Sequence, residues 1–150
     1  MPLWVVYHPP GTFDDDETKQ ALAKDITDWY STGRGTLPRF YVVVNFIQLP
    51  VNSVWVGGEL RKDKPFIRLT VDHIAVRMPD DDAQYKRVMQ GISAFLKPHI
   101  ADKGYDWEVH VDETERRLWQ INGINPPPWR SEEEKMWHNE NRPVPYETKL

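Results

Sequence analysis

The sequence LWVVYHPPGTFDDD occupies residues 3–16 and carries the local signals that decide the fold. Its apolar, β-branched run from Leu3 to Tyr7 stops at Pro9 to Gly11, which is typical of a buried strand followed by a turn. Three consecutive aspartates, Asp14 to Asp16, come next, and carboxylates at such a position stabilise the free amides at the start of a helix. This stretch therefore predicts a strand, a tight connection and a helix.

The predicted helix has an apolar face whose members recur at helical spacing: Leu22, Ile26 and either Trp29 or Tyr30. We expect Gly33 and Gly35 to end it, since glycine is common just beyond a helix. The run FYVVVNFI at residues 40–47 then predicts a second apolar strand. Together these segments form one β-α-β unit.

The same pattern recurs in the second half of the chain. Residues 66–74, FIRLTVDHI, predict a strand, and a second aspartate triplet, Asp80 to Asp82, begins 66 residues after the first. The following helix has apolar residues at i, i+3, i+4, i+7 and i+11: Tyr85, Val88, Met89, Ile92 and Leu96. Residues 106–111, DWEVHV, predict the final strand, and the 66-residue offset aligns Phe40 with Asp106.

Two β-α-β units side by side predict an α+β fold over residues 1–125, with a four-stranded sheet and both helices on one face. Between the units, residues 48–64 predict a loop with a short edge strand or hairpin. Because the strands look apolar on both faces, the sheet face without helices predicts an interface between copies of the chain.

Residues 126–150 form a Pro- and Trp-rich extension that we expect to pack on the domain or on a neighbouring subunit. Just before it, Thr114 is expected to cap a short helix that runs through Trp119. Pro126 to Pro128 predict extended polyproline backbone. Ser131 with Glu134 predicts a capping box for one last short helix.

The composition excludes several classes of protein. The 150 residues are 39% hydrophobic with a formal net charge of -4 and scattered basic residues, which argues against binding nucleic acid or an anionic membrane. The absence of cysteine excludes disulfides, thiolate metal sites and thiol catalysis. No apolar run reaches a membrane helix's length of about 18 residues, and the start lacks a secretory pattern. We expect a cytoplasmic protein.

No metal, phosphate or dinucleotide motif is present, so no cofactor is expected. The residue that points to chemistry is Pro2, which leads directly into the first strand. Methionine is usually excised before a residue this small, leaving the Pro2 nitrogen as a secondary amine. An apolar site disfavours the charged amine and should lower its pKa. The amine would then act as a general base near neutral pH, or as a nucleophile toward carbonyls.

The sequence resembles the tautomerase superfamily, specifically its fused-domain members related to cis-3-chloroacrylic acid dehalogenase and their fungal branch. The resemblance is carried by Pro2 to Tyr7, by Ala23 to Asp28, and by Val44 to Phe46 with Gly57 and Gly58. It implies a homotrimer and cofactor-independent catalysis by the amino-terminal proline. The implied substrate is a small enol or keto acid that bears a carboxylate.

The resemblance also implies catalytic residues. The family's proline corresponds to Pro2, and its helix histidine falls on Tyr30. Its first substrate-binding arginine falls on or next to His73, and the second on Val76 or Arg77. We expect Pro2, His73, Arg77 and Tyr30 to be catalytic, although Tyr30 also fits the core face of its helix.

Further positions are expected to bind substrate. The family's strand tyrosine falls on Val109, beside His110, and its water-activating glutamate falls on Gln120. An amide takes no proton from water, so Gln120 argues against dehalogenation and leaves enol–keto tautomerisation as the expected activity. Arg68 and Asn45, both on predicted strands, complete the expected binding set. The alternatives are a decarboxylase, hydratase or dehalogenase on the same scaffold, or a non-enzymatic binding protein.

Overall fold

The computed structural model describes residues 2–32 and 37–147. The helices and strands are, in chain order, β1 (Leu3–His8), α1 (Asp16–Ser31), β2 (Val43–Gln48), β3 (Trp55–Val56), β4 (Glu59–Leu60), β5 (Phe66–His73), α2 (Asp82–Leu96), β6 (Asp106–Glu113) and α3 (Glu132–Glu140). The expected helix end at Gly33 and Gly35 lies outside the described residues.

The main sheet has four strands in the order β2-β1-β5-β6. β1 pairs with β2, and β5 with β6, in parallel, whereas β1 and β5 are antiparallel and bring Leu3 opposite Asp72. Alternate residues of β1 and β5 form the core together with residues of both helices: Trp4, Val6, Ile67, Leu69, Leu22, Ile26, Ile92 and Leu96. The predicted α+β fold with a four-stranded sheet is confirmed.

The aspartate triplets start both helices, as predicted. Asp15 accepts a hydrogen bond from the Thr18 amide at 2.7 Å, and Asp81 accepts from the amides of Ala83 and Gln84. Of the two candidates for the last core position of α1, Tyr30 is buried, whereas Trp29 is 40% exposed.

The repeat is less regular than the triplets indicate. The first strands of the two units, β1 and β5, begin at Leu3 and Phe66. The second strands, β2 and β6, begin at Val43 and Asp106. Both pairs of strands are therefore 63 residues apart rather than 66. The alignment of Phe40 with Asp106 is therefore wrong, because residues 39–41 form a 3-10 turn before β2. This turn buries the Tyr41 ring against Trp119 and Trp137.

The second sheet face is only half apolar. On β1 and β2 it carries Val5 and Ile47, but on β5 and β6 it carries charged residues such as Arg68 and Glu108, whose ion pair measures 2.9 Å. The prediction that all strands are apolar on both faces is wrong for β5 and β6, because their residues alternate between apolar and polar.

Residues 55–60 form the hairpin anticipated between the two units. Trp55 pairs with Leu60 in antiparallel β3 and β4. The connecting residues, Gly57 and Gly58, have φ of +64° and +84°. Glycine adopts a positive φ without strain, so two successive glycines suit this turn.

The segment after β6 begins differently from the prediction. Glu115, not Thr114, caps a 3-10 turn over Arg116–Leu118, accepting from the Arg117 amide at 3.1 Å. Thr114 does not cap because its own amide continues the sheet ladder by donating to the His73 carbonyl.

The chain then returns across the domain. Ser131 caps α3 through the Glu134 amide, but the Glu134 carboxylate turns to the Arg130 amide, so only half of the predicted capping box forms. The buried Trp137 packs against Tyr41, and the Phe40 amide donates to Asn141. Within the described ranges, no helix is long and apolar enough to cross a membrane.

Candidate active site

A cavity of about 940 Å³ lies between α1, α2 and the segment that follows β5. We call it the main cavity. It is lined by Asp25, Asp28, Trp29, Tyr30, Thr32, Leu37, His73, residues 75–79, Gln84, Phe95 and Trp129. It therefore brings together three of the predicted site positions, Tyr30, His73 and Arg77.

Pro2 directly precedes β1, which begins at Leu3. β1 and β5 pair Leu3 with Asp72, and one further step of this register places Pro2 opposite His73. The Pro2 carbonyl accepts a hydrogen bond from the Val43 amide at 3.0 Å, which extends the strand to this residue. Pro2 is buried and is not among the cavity's lining residues.

His73 and Tyr30 contact each other. The Tyr30 Oη lies 3.4 Å from Nδ1 of His73. Burial lowers the pKa of His73 from its ordinary value, and the Glu113 carboxylate opposes this shift. Burial raises the pKa of Tyr30 to about 12. At neutral pH the pair is thus a neutral imidazole and a protonated phenol.

Arg77 supplies a positive charge to the cavity. It is exposed, and among the described residues no carboxylate lies within ion-pair distance of its guanidinium. Its loop is held in place from β6, since Glu113 accepts a hydrogen bond from the Met78 amide at 2.7 Å. Arg77 is therefore free to bind an anionic group.

The segment 126–130 reaches the same loop through Arg116. This guanidinium donates to the Ala75 carbonyl at 3.0 Å, to the Pro127 carbonyl at 2.6 Å and to Glu134 at 2.9 Å. Glu134 is almost fully buried. The arrangement holds Trp129 at the cavity wall, where the Arg130 guanidinium lies 4.1 Å from its ring centroid.

An aromatic wall closes the side between the helices. The rings of Trp29 and Phe95 lie 5.5 Å apart, and Trp29 covers Gly91 in α2. A Cβ at Gly91 would lie 2.0 Å from the Trp29 ring, so only glycine leaves room for this contact.

The remaining predicted residues lie elsewhere in the monomer. Arg68 and His110 line a separate cavity of about 510 Å³ on the sheet face without helices, near the hairpin. Asn45 is exposed on that face, and Gln120 is exposed after the 3-10 turn. Strict alternation along β5, from the buried Ile67, already predicts that Arg68 points away from the helices.

Three residues at the site were not anticipated from the sequence. Glu113 lies beyond the predicted end of the last strand, and its pairing with His73 depends on the β5–β6 register. Phe95 fits the apolar helix pattern and carries no separate signal. Trp129 directly follows Pro126 to Pro128, and this stiff stretch of backbone is the signal from which a defined position of the ring could have been expected.

The sheet of two β-α-β units with helices on one face is the fold of tautomerase-like proteins. A family model described as "Putative oxalocrotonate tautomerase enzyme" matches residues 1–142, and the chain belongs to this family. No curated protein sequence matches the chain.

Solved structures extend this comparison. RhCC from Rhodococcus jostii RHA1 is 40% identical, with a TM-score of 0.88 over 96% of this chain and 99% of RhCC. A "probable enzyme" from the thermophilic fungus Aspergillus fumigatus is 44% identical, with a TM-score of 0.86 over 97% of this chain and 98% of that one. A fused 4-OT described as a symmetric trimer is 20% identical and shares the fold, with a TM-score of 0.62 over 82% of this chain and 94% of its own.

Proposed function

We propose that the protein is a cofactor-independent tautomerase that interconverts the enol and keto forms of 2-oxo acids, with the amine of Pro2 as the acid–base group after removal of Met1. The observation that carries this proposal is the β1–β5 register: its last pair joins Leu3 and Asp72, and one further step along it brings Pro2 opposite His73, which lines the main cavity. Membership of the tautomerase family supports it.

The proposed step moves one proton and needs no redox partner. The neutral Pro2 nitrogen takes the hydroxyl proton of the enol, and the C2–O bond becomes a carbonyl as the former C2–C3 double bond takes up a proton at C3. The ammonium of Pro2 supplies that proton and returns to the neutral amine. This role requires a neutral amine at Pro2, and a buried position favours the neutral form.

The other residues bind and orient the substrate. Arg77 holds the carboxylate with a permanently charged, bidentate fork. The protonated Tyr30 and the neutral His73 bind the oxygen at C2, where negative charge develops during proton transfer.

We also assign the chain to the group related to cis-3-chloroacrylic acid dehalogenase. This assignment rests on the residues that carry the resemblance: Pro2 to Tyr7, Ala23 to Asp28, and Val44 to Phe46. With Gln120 at the position of the water-activating glutamate, tautomerisation and not hydrolytic dehalogenation is the expected activity.

The same proposal includes a homotrimer. The apolar half of the open sheet face, with Val5 and the 41%-exposed Ile47, is a surface that assembly would cover. The fused 4-OT that shares this fold is a trimer, which supports the choice of three subunits.

The experiment that tests the catalytic proposal combines mass and activity. Intact mass of the purified protein establishes whether Met1 is absent, and ketonisation of a pre-formed 2-hydroxy-2-enoic acid is followed by absorbance. Pro2→Ala should lower kcat by orders of magnitude with the fold retained, because a primary amine is more flexible and more basic. Full activity of Pro2→Ala, or of protein that retains Met1, would show that this nitrogen is not the base.

A further inference from the structure

The loop at residues 74–81 carries Arg77 and joins the end of β5 to the start of α2. It contains no helix or strand, so regular backbone hydrogen bonding does not fix the place of the guanidinium. A binding group on such a loop loses affinity when it moves freely, because the entropy of ordering it is subtracted from each contact that it makes. The position of Arg77 therefore depends on contacts from other parts of the chain.

The end of β6 and the turn that follows it bind this loop on both sides of Arg77. Before Arg77, the Ala75 carbonyl accepts a hydrogen bond from the Arg116 guanidinium at 3.0 Å. After Arg77, the Met78 amide donates a hydrogen bond to Oε1 of Glu113 at 2.7 Å. These contacts join residues that are 41 and 35 positions apart in the sequence, so they are set by the tertiary structure.

Glu113 has a rigid base from which to hold the loop. It is the last residue of β6, and the parallel register with β5 pairs it with His73. The Thr114 amide continues the ladder by donating a hydrogen bond to the His73 carbonyl at 3.0 Å. The sheet thus fixes the backbone of Glu113, and the side chain extends that order to the loop beyond β5.

The negative charge of Glu113 and its hydrogen bond have different effects on an anionic ligand. A carboxylate at this place repels a second carboxylate that binds nearby, so the charge itself does not help binding. The hydrogen bond to the Met78 amide does help, because it restrains the loop. A glutamine side chain would keep an acceptor oxygen and lose the charge. Substitution of Glu113 by glutamine and by alanine therefore separates the two effects.

We propose that Glu113 is a positioning residue: by binding the Met78 amide, it holds Arg77 where the guanidinium receives the carboxylate of the substrate. The proposal rests on the proposed function, since Arg77 binds the substrate carboxylate there. Glu113 is exposed and is not among the residues that line the main cavity, so it acts through Arg77 and not by touching the substrate.

Amide hydrogen exchange tests the contact without any ligand. The Met78 amide should be protected in the wild type and in Glu113→Gln, and should exchange about five- to tenfold faster in Glu113→Ala. NMR relaxation should show a less ordered Arg77 backbone in Glu113→Ala alone. Glu140→Ala, which removes a carboxylate paired with Arg142 at the end of α3, should change neither measurement. Equal exchange of the Met78 amide in the wild type and in Glu113→Ala overturns the proposal.

A double-mutant cycle on ligand binding tests whether Glu113 acts through Arg77. Butanoate is a suitable probe, because it has a carboxylate but no carbonyl with which the amine of Pro2 could react. Glu113→Ala should weaken butanoate binding about two- to tenfold, as for one lost hydrogen bond, and have no further effect in the Arg77→Ala background. Glu113→Gln should bind butanoate at least as tightly as the wild type. Additive effects of the two alanine substitutions, or a Glu113→Gln variant as weak as Glu113→Ala, overturn the proposal.

Kinetics separate this inference from the proposed function. With a pre-formed enol acid, Glu113→Ala should raise KM by the same factor as it weakens butanoate binding, and change kcat little. A wild-type protein that ketonises no enol acid, yet gives the expected cycle with butanoate, overturns the proposed function and supports the role of Glu113. An active enzyme whose KM is the same in Glu113→Ala overturns the role of Glu113 alone. If Arg77→Ala binds butanoate as tightly as the wild type, the roles of Arg77 and Glu113 are both wrong.

Discussion

His73 shows how one residue's surroundings set its chemistry. Burial lowers the pKa of its imidazole, so the ring is neutral at the pH where the proposed reaction runs. The phenol of Tyr30, 3.4 Å away, remains protonated because burial also raises its pKa. The two rings offer hydrogen bonds to a developing oxyanion without bringing a net charge into the site.

The lowered pKa of His73 predicts a pH dependence of stability. Its ordinary value is 6.5, so the unfolded chain binds a proton here at a higher pH than the folded chain does. Folding stability is therefore lost as the pH falls from about 6.5 through the lowered folded value. His73→Gln lacks this titration, so the thermal midpoint of the wild type should fall more than that of the variant between about pH 7.5 and pH 5. If the thermal midpoints of the wild type and of His73→Gln fall equally over this pH range, the lowered pKa of His73 is contradicted. His110→Gln, the same change on the opposite sheet face, should follow the wild type.

Arg77 is predicted to act in binding. Loss of a charged hydrogen bond costs about 1.5–3 kcal/mol, so Arg77→Ala should raise KM about ten- to a hundredfold. The effect should be similar at all pH values, because the guanidinium does not titrate in this range. Steady-state kinetics with a pre-formed enol acid measure it, and Arg117→Ala, an arginine outside the cavity, is the matched control. Unchanged KM in Arg77→Ala would place the substrate carboxylate elsewhere.

The helices are matched to each other at Gly91. Glycine within a helix is less favourable than alanine by about 1 kcal/mol, yet α2 keeps it where the Trp29 ring crosses. The contact joins the two helices above the cavity, and Phe95 continues it one turn later.

Gly91→Ala should destabilise the protein despite its better helix propensity. The added methyl would lie 2.0 Å from the Trp29 ring, so the ring must move and lose its contact with Phe95. Overpacking costs about 1–3 kcal/mol and the better helix propensity offsets about 1 kcal/mol of it, so urea unfolding should show a net loss of up to about 2 kcal/mol. Gln90→Ala, at an exposed neighbouring position of α2, should not destabilise. The double variant Gly91→Ala with Trp29→Leu should recover stability, because the smaller side chain leaves room for the added methyl. A stabilising effect of Gly91→Ala alone would contradict the role assigned to the Trp29 contact.

The attachment of the C-terminal segment depends on the ion pair of Arg116 with Glu134. Arg116→Ala leaves the buried Glu134 carboxylate without its partner, which should cost about 3–5 kcal/mol of unfolding free energy. Thermal and urea unfolding measure the loss. Arg117→Ala removes an exposed pair with Glu115 and should leave stability unchanged. The double variant Arg116→Met with Glu134→Gln should restore part of the lost stability. If Arg116→Ala and Arg117→Ala destabilise the protein equally, the role assigned to Arg116 is wrong.

At the scale of the whole molecule, the open sheet face divides into an apolar half on β1 and β2 and a charged half on β5 and β6. Arg68 and His110 line the cavity on the charged half, beside the β3–β4 hairpin. Such a mixed surface suits a specific contact between subunits better than nonspecific association.

Light scattering should give a mass of about three times 17.7 kDa. Val5→Lys, in the apolar half, should dissociate the assembly because a charge would be buried there without a partner. Leu118→Lys, at an 84%-exposed site away from this face, should remain trimeric. A wild-type monomer at micromolar concentration would contradict the proposed assembly.

The sequence by itself determined the local structure. The β-branched run before Pro9, the aspartate triplets and the apolar spacing of each helix depend on neighbours within a few residues, and the strands and helices follow them closely. Pro2 at the head of a strand was equally visible.

Only the tertiary structure decided which residues meet at the candidate site. The antiparallel pairing of β1 with β5 brings Pro2 opposite His73, although about 70 residues separate them, and the β5–β6 register adds Glu113. Trp129 reaches the cavity through the hydrogen bonds of Arg116. Strand register and side-chain packing arise between segments far apart in the chain, and no local pattern encodes them.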